Sequence, residues 1–182
     1  MEEKFVYFLE ENLVIKFEHT DVHGFEAAIR GMRNPKNSWA KSDSVFPHDG
    51  TLGNVGPGDL TLMKVLVMAG DDHGKFARMI TVTVDITAPL YWWKEFDTYK
   101  VGTVADSCST MHKLHERNLT LDDFSYEHLG PSDTVAFQAY LNILNINRSQ
   151  FVRTKDTECW WRMIQMLPTS YNQKRTVQMN YQ

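Results

Sequence analysis

Ile80, Val82, Val84 and Ile86 alternate with Thr81, Thr83, Asp85 and Thr87, the clearest periodic segment in the chain. A period of two sends one set of side chains to a buried face and the other to water, so the segment predicts a half-buried strand. Pro89 then fits the first turn of a helix carrying Leu90, Trp92, Trp93 and Phe96. Upstream, Phe5 to Phe8 and Leu13 to Phe17 read as two short strands around an acidic turn at Glu10-Glu11-Asn12. Phe25, Ala28, Ile29 and Met32 recur at helical offsets, which predicts a short helix over Gly24 to Met32. Asp59 can cap a further helix that carries Leu60, Met63, Leu66, Val67 and Met68 on its inner side and stops at Gly70.

Between these helices, Asn34 to Gly58 is rich in Asn, Pro, Ser, Asp and Gly and reads as a long loop, a candidate lid or subunit contact. After the Gly102 break, Cys108 to Glu116 reads as helical and Leu119 to Phe124 as a linker. Ser132 caps a helix from Asp133 to about Asn147, and another runs from about Lys155 to Met166. Pro168 interrupts before a last amphipathic piece, Asn172 to Gln182. Strands, helix, strand and then mostly helices describe an α/β fold of the α+β kind.

Composition narrows the class. The 182 residues, 42% hydrophobic and 23% charged, suit a single domain spanning 1–182. A formal net charge of -4 argues against a nucleic-acid backbone as partner. The longest apolar run, Ala88 to Trp93, is far too short to span a membrane. Two cysteines, Cys108 and Cys159, make no disulfide framework and fit a reducing compartment. Met1-Glu2-Glu3-Lys4 lacks the order of a signal peptide, so a cytoplasmic location is expected.

Few side chains form a recognisable constellation. His112 and His115 lie three apart with Cys108 a turn earlier, but no Cys-x-x-Cys or His-Glu-x-x-His accompanies them, and no metal site is assigned. Cys108 has no glycine-flanked elbow and reads as a small buried thiol. Gly50, Gly53, Gly56 and Gly58 lack the Gly-Lys-Ser/Thr ending of a phosphate loop. In the pairs Trp92-Trp93 and Trp160-Trp161, neighbours point about 100° apart on a helix, so one member of each can be core. Arg78, Lys94, Lys100, Lys113, Arg162, Lys174 and Arg175 are the cations that could hold an anion, each otherwise a solvated charge.

From His73 to Met111 the order of motifs resembles the centre of the flavin-dependent thymidylate synthases. That family has a Gly-His-rich turn, a Phe-Glu-His stretch, an alternating strand and an Ala-Pro that opens a helix. The helix ends in Arg-His-Arg-x-x-Ser-x-Asn-Glu-x-Ser-x-Arg-Tyr. Here Asp72-His73, Phe76-Ala77-Arg78, the strand to Ile86 and Ala88-Pro89 follow the same order, and Lys94-Glu95-Phe96 stands where the family has Arg-Gln-Trp or Arg-Gln-Phe. The signature window is Thr98 to Met111: Lys100 keeps a charge, Thr103 a hydroxyl and Asp106 a carboxylate, while Cys108 puts a thiol in place of a serine. Thr98, Tyr99, Ala105 and Thr110 replace the first arginine, the histidine, the asparagine and the last arginine. Near the end, Arg162, Leu167-Pro168 and the series Tyr171, Thr176, Asn180 match a second family block, and Ala27-Ala28 echo an Ala-Ala-Arg element.

The resemblance covers about two thirds of the chain. It implies a homotetramer with a central antiparallel or mixed sheet and long helices, holding FAD between subunits. In the family the flavin takes hydride from NADPH and reduces a one-carbon unit passed from methylenetetrahydrofolate to dUMP. Carried over by position, Lys100, Thr103, Cys108, Ser109, Thr110 and Arg162 would meet the nucleotide, and His73, Arg78, Tyr99 and Asp106 the flavin. The alternative is a non-catalytic protein on the same fold, virus-encoded versions included, that binds a nucleotide or nucleotide-like signal to sequester it or to regulate.

Overall fold

The computed structural model describes residues 15–47, 53–99 and 101–182. Strands β1 (Lys16–His23), β2 (Thr81–Pro89), β3 (Val104–Ser107) and β4 (Asn172–Asn180) form an antiparallel sheet in the order β1-β2-β4-β3. The expected strand at Phe5 to Phe8, its acidic turn and the start of Leu13 to Phe17 lie outside the described residues. The alternating segment is β2, internal in the sheet, with Val84, Ile86 and Ala88 buried. Contacts divide the chain into two compact units.

The first unit comprises 18–85, 101–105 and 176–182 of the described residues. Helix α1 (Phe25–Arg33) turns Ala28, Ile29 and Met32 onto Phe76, Ala77 and Ile80, the unit's core. It starts after Gly24 at φ 93, where a Cβ would fall on the Met79 carbonyl; only glycine fits. Helix α2 (Pro57–Met68) and the single turn α3 (Asp71–Gly74) follow, separated by Gly70 at φ 105.

Two expectations for α2 are corrected. Gly56 is the N-cap and Pro57 takes the first turn, while Asp43 supplies the side-chain acceptors, taking Gly58 N at 2.7 Å and Asp59 N at 2.9 Å. Asp59 is buried instead, against Arg33. That choice sets the rotation of the helix. Leu62, Met63 and Leu66 share a face with Asp59 and pack on the core, whereas Leu60, Val67 and Met68 are exposed. Around it, Asn34 to Gly58 carries 3-10 turns at Asn34–Lys36 and Trp39–Lys41 and a bridge between Val45 and Asn54.

The second unit comprises 15–17, 86–99 and 106–175. It holds α4 (Leu90–Phe96), α5 (Thr110–Lys113), α6 (Pro131–Thr154) and α7 (Thr157–Gln165). Its core joins Leu114, Leu119 and Phe124 to Leu141 and Leu144 of α6 and Met163 of α7. Helix α6 begins after Gly130, whose N–H donates to Asp133 at 3.2 Å, so Ser132 lies inside the first turn and is not the cap. It ends at Lys155, which is left-handed at φ 58 and therefore separates the two helices where α7 was expected to start. Asp156 caps α7 by accepting Glu158 N at 3.0 Å. One member of each tryptophan pair is core: Trp93 is fully buried, and Trp160 packs on the cluster while Trp161 is exposed. The piece after Pro168 is strand β4, and the helix expected over Cys108 to Glu116 is reduced to the single turn α5, which follows edge strand β3.

Candidate functional site

The signature window leaves α4, passes through β3 and enters α5, with 98–99 and 106–111 in the second unit and 101–105 in the first. Tyr99 and Asp106 are exposed. Cys108 is exposed as well, contrary to the buried thiol expected, because it follows an edge strand with no inward face. Ser109 is the N-cap of α5, its Oγ accepting His112 N at 3.1 Å, and Thr110 opens the helix, half-buried. Cys108, Ser109 and Thr110 therefore form one turn. Arg162 stands exposed on α7, its guanidinium with no hydrogen bond or ion pair among the described residues.

That turn is tied to β4. Cys108 N donates to the Lys174 carbonyl at 2.9 Å, and Gln173 Nε2 donates to the Cys108 carbonyl at 2.8 Å. Gln173 is buried, its own carbonyl accepting Trp93 Nε1 at 3.0 Å and its Oε1 accepting Arg175 Nε at 3.0 Å. Arg175 donates through Nη1 to Asp97 at 2.8 Å and lies 4.2 Å from the centre of a Trp93 ring. Arg175 is thus a locked charge, not a solvated one. Sequence reading missed this set; its only trace is that Gln173, Arg175 and Val177 share one side of an alternating segment.

Tyr171, bridged to Phe124, is held above the ordinary phenol range by burial and by the Asp123 charge. Burial pushes Asp123 up, but hydrogen bonds from Arg117 and Thr120 outweigh it and the carboxyl lies below its usual value.

In the first unit, His73 lies on α3, exposed, and Arg78 follows on the 3-10 turn Lys75–Met79, its Nε donating to Gln182 at 2.5 Å. Thr103 is half-buried, and Lys100 lies outside the described residues. An exposed imidazole and an exposed guanidinium are donors of the kind that a flavin dinucleotide's pyrophosphate accepts, so this donor set fits that group. Among the described residues no three His, Cys, Asp or Glu side chains gather in a metal-holding group, and no helix is long and apolar enough to cross a membrane. A cleft of about 560 Å³ along α6, reaching Asn142, Ser149 and Arg153, has none of the expected site residues on its wall.

No family model matches the sequence, and no curated protein matches it either. Solved structures do. The chain is similar to the flavin-dependent thymidylate synthase ThyX from Helicobacter pylori, complexed with FAD and dUMP, at TM-score 0.60 and 14% identity, over 91% of this chain and 78% of that one. The fold is that of the flavin-dependent thymidylate synthases. A UMP/dUMP methylase, PolB, from Streptomyces cacaoi bound with 5-Br UMP is similar at TM-score 0.52 and 12% identity, over 93% of this chain and 73% of that one. The same methylase bound with 5-Br dUMP reaches TM-score 0.54.

Proposed function

We propose that this chain binds a pyrimidine nucleotide of the dUMP class together with FAD, as one domain in a homo-oligomer, and methylates the nucleotide or carries out a related reaction. The observation that carries this reading is the fold likeness over 91–93% of the chain to proteins crystallised with dUMP or with a brominated UMP or dUMP.

Ser109, Thr110 and Arg162 are the proposed phosphate partners, with Lys100, Thr103 and Cys108 in the roles that their positions in the signature give them. His73 and Arg78 would hold the flavin through its pyrophosphate, with Tyr99 and Asp106 as further contacts. Bound FAD would supply the hydride that reduces the transferred one-carbon unit. A phosphate dianion needs charged or N–H donors, and this chain offers a fixed turn, one hydroxyl already engaged in a helix cap, and a free guanidinium.

One observation favours the second reading, a non-catalytic nucleotide binder. Thr110 puts a single hydroxyl where the family's arginine fork stands, and Tyr99 replaces its histidine. Colour separates the two. Yellow protein that releases flavin on denaturation and binds dUMP supports the flavoenzyme; colourless protein that binds dUMP supports the binder. Protein with neither flavin nor dUMP affinity overturns both.

A further inference from the structure

The Cys108–Thr110 turn is anchored by an amide that can face only one way. Gln173 Oε1 accepts Arg175 Nε at 3.0 Å while its Nε2 donates to the Cys108 carbonyl at 2.8 Å. Turned over, the amide would set N–H against N–H at Arg175 and oxygen against oxygen at Cys108. Arg175 therefore decides the orientation. It is itself held from two sides, by Asp97 and by the face of Trp93, and its side chain is only 15% exposed. An arginine stacked and paired in this way cannot reach out to an anion as a free cation. Its remaining influence runs through Gln173.

We propose that Arg175 is the positioning residue of the nucleotide turn: acting through Gln173, it fixes the Cys108 carbonyl and so the direction in which Ser109 and Thr110 are presented. This deepens the proposed function and rests on its nucleotide reading. The chain of contacts is Asp97, Arg175, Gln173, Cys108, all within the second unit. A bidentate charge would strengthen the first half of that chain and break the second, which makes Gln173→Glu the decisive variant. It keeps the acceptor for Arg175 and removes the donor for Cys108. Arg175→Lys keeps the charge facing Asp97 and loses the Nε–H, leaving the Gln173 amide free to turn.

Two measurements on the full chain test this: hydrogen exchange at the Cys108 amide, which donates to Lys174, and calorimetric titration with dUMP. In both variants the Cys108 amide should exchange about fivefold faster or more, since the turn that carries it loses the bond from buried Gln173 to the Cys108 carbonyl. The amides of Leu141 and Leu144 in the α6 core should not change. Affinity for dUMP should fall by a similar factor, and the double variant should match Gln173→Glu within about twofold, because both changes act through one bond. Unchanged exchange at Cys108, or equal acceleration at Leu141 and Leu144, overturns the positioning role whatever happens to dUMP. Faster exchange confined to the turn in a protein whose wild type binds no dUMP supports the anchor and overturns the nucleotide reading.

Discussion

Asp59 receives both Nε and Nη2 of Arg33 on one carboxylate oxygen, at 2.7 and 2.5 Å, and both side chains are buried. Its other oxygen accepts the hydroxyls of Ser42 and Ser44, each at 2.6 Å, and the N–H groups of Asp43 and Ser44. A buried ion pair costs desolvation and is tolerated when every lone pair is met, as here. The pair fastens the polar segment after α1 to the start of α2.

Acid should loosen that fastening. Burial pushes the Asp59 carboxyl up, but the two serines and Arg33 outweigh it and bring it from 3.8 down to about 2. A depressed carboxyl contributes stability above its unfolded value and loses it as pH falls toward the folded one, here between about pH 4 and pH 2. The contribution is roughly 2 kcal/mol at neutral pH. Asp59→Asn should be less stable than wild type at pH 7 by about 3 kcal/mol, since Arg33 is left buried without its counter-charge. The difference should shrink in denaturant titrations at pH 2.5; a difference independent of pH would show that the ion pair is not its source.

Val84 is 4% exposed on the internal strand β2. Val84→Asp buries a carboxylate with no partner provided for it and should cost roughly 3 kcal/mol or more. Thermal unfolding checks this, and an unchanged midpoint would mean the strand's inward face has been misassigned.

Lys155 stands at φ 58 between α6 and α7. Glycine enters that conformation without the Cβ penalty, so Lys155→Gly should stabilise by up to about 1 kcal/mol, less the loss of the lysine's approach to Phe151. Lys155→Val should destabilise. Equal urea midpoints for the two variants would count against a left-handed residue here.

Thr110 opens α5 directly after the capping serine. Thr110→Arg should tighten dUMP binding about tenfold, as a charge-assisted bond is worth ~1.5–3 kcal/mol. The gain should shrink with added salt because part of it is Coulombic. Titration of both proteins at two salt concentrations decides; equal affinities would place the phosphate elsewhere.

Helix α2 exposes Leu60, Val65, Val67 and Met68, and α6 exposes Val135, Ile143 and Ile146. With the assembly that the fold likeness leads us to propose, sedimentation at micromolar concentration should give a species larger than the monomer. A monomer would remove the shared-site model.

The alternation through β2 and the helical offsets in α1 were legible because each element carries its own apolar face. Motif order pointed to the fold for a similar reason: Ala88-Pro89 and the strand before it are local. The rotation of α2 was not legible, since it depends on Asp59 finding Arg33 26 residues away. Nor was β4. Its buried side includes Gln173 and Arg175, polar residues that hydropathy assigns to water and that enter the interior only because Trp93, Asp97 and Cys108 satisfy them there. Edge strand β3 has no buried face at all, and so no pattern to read. The amino-acid order alone determined where apolar faces form and how far the motifs follow a known family. Tertiary structure decided which polar side chains are buried and what they hold, because a polar group's place is set by partners distant in sequence.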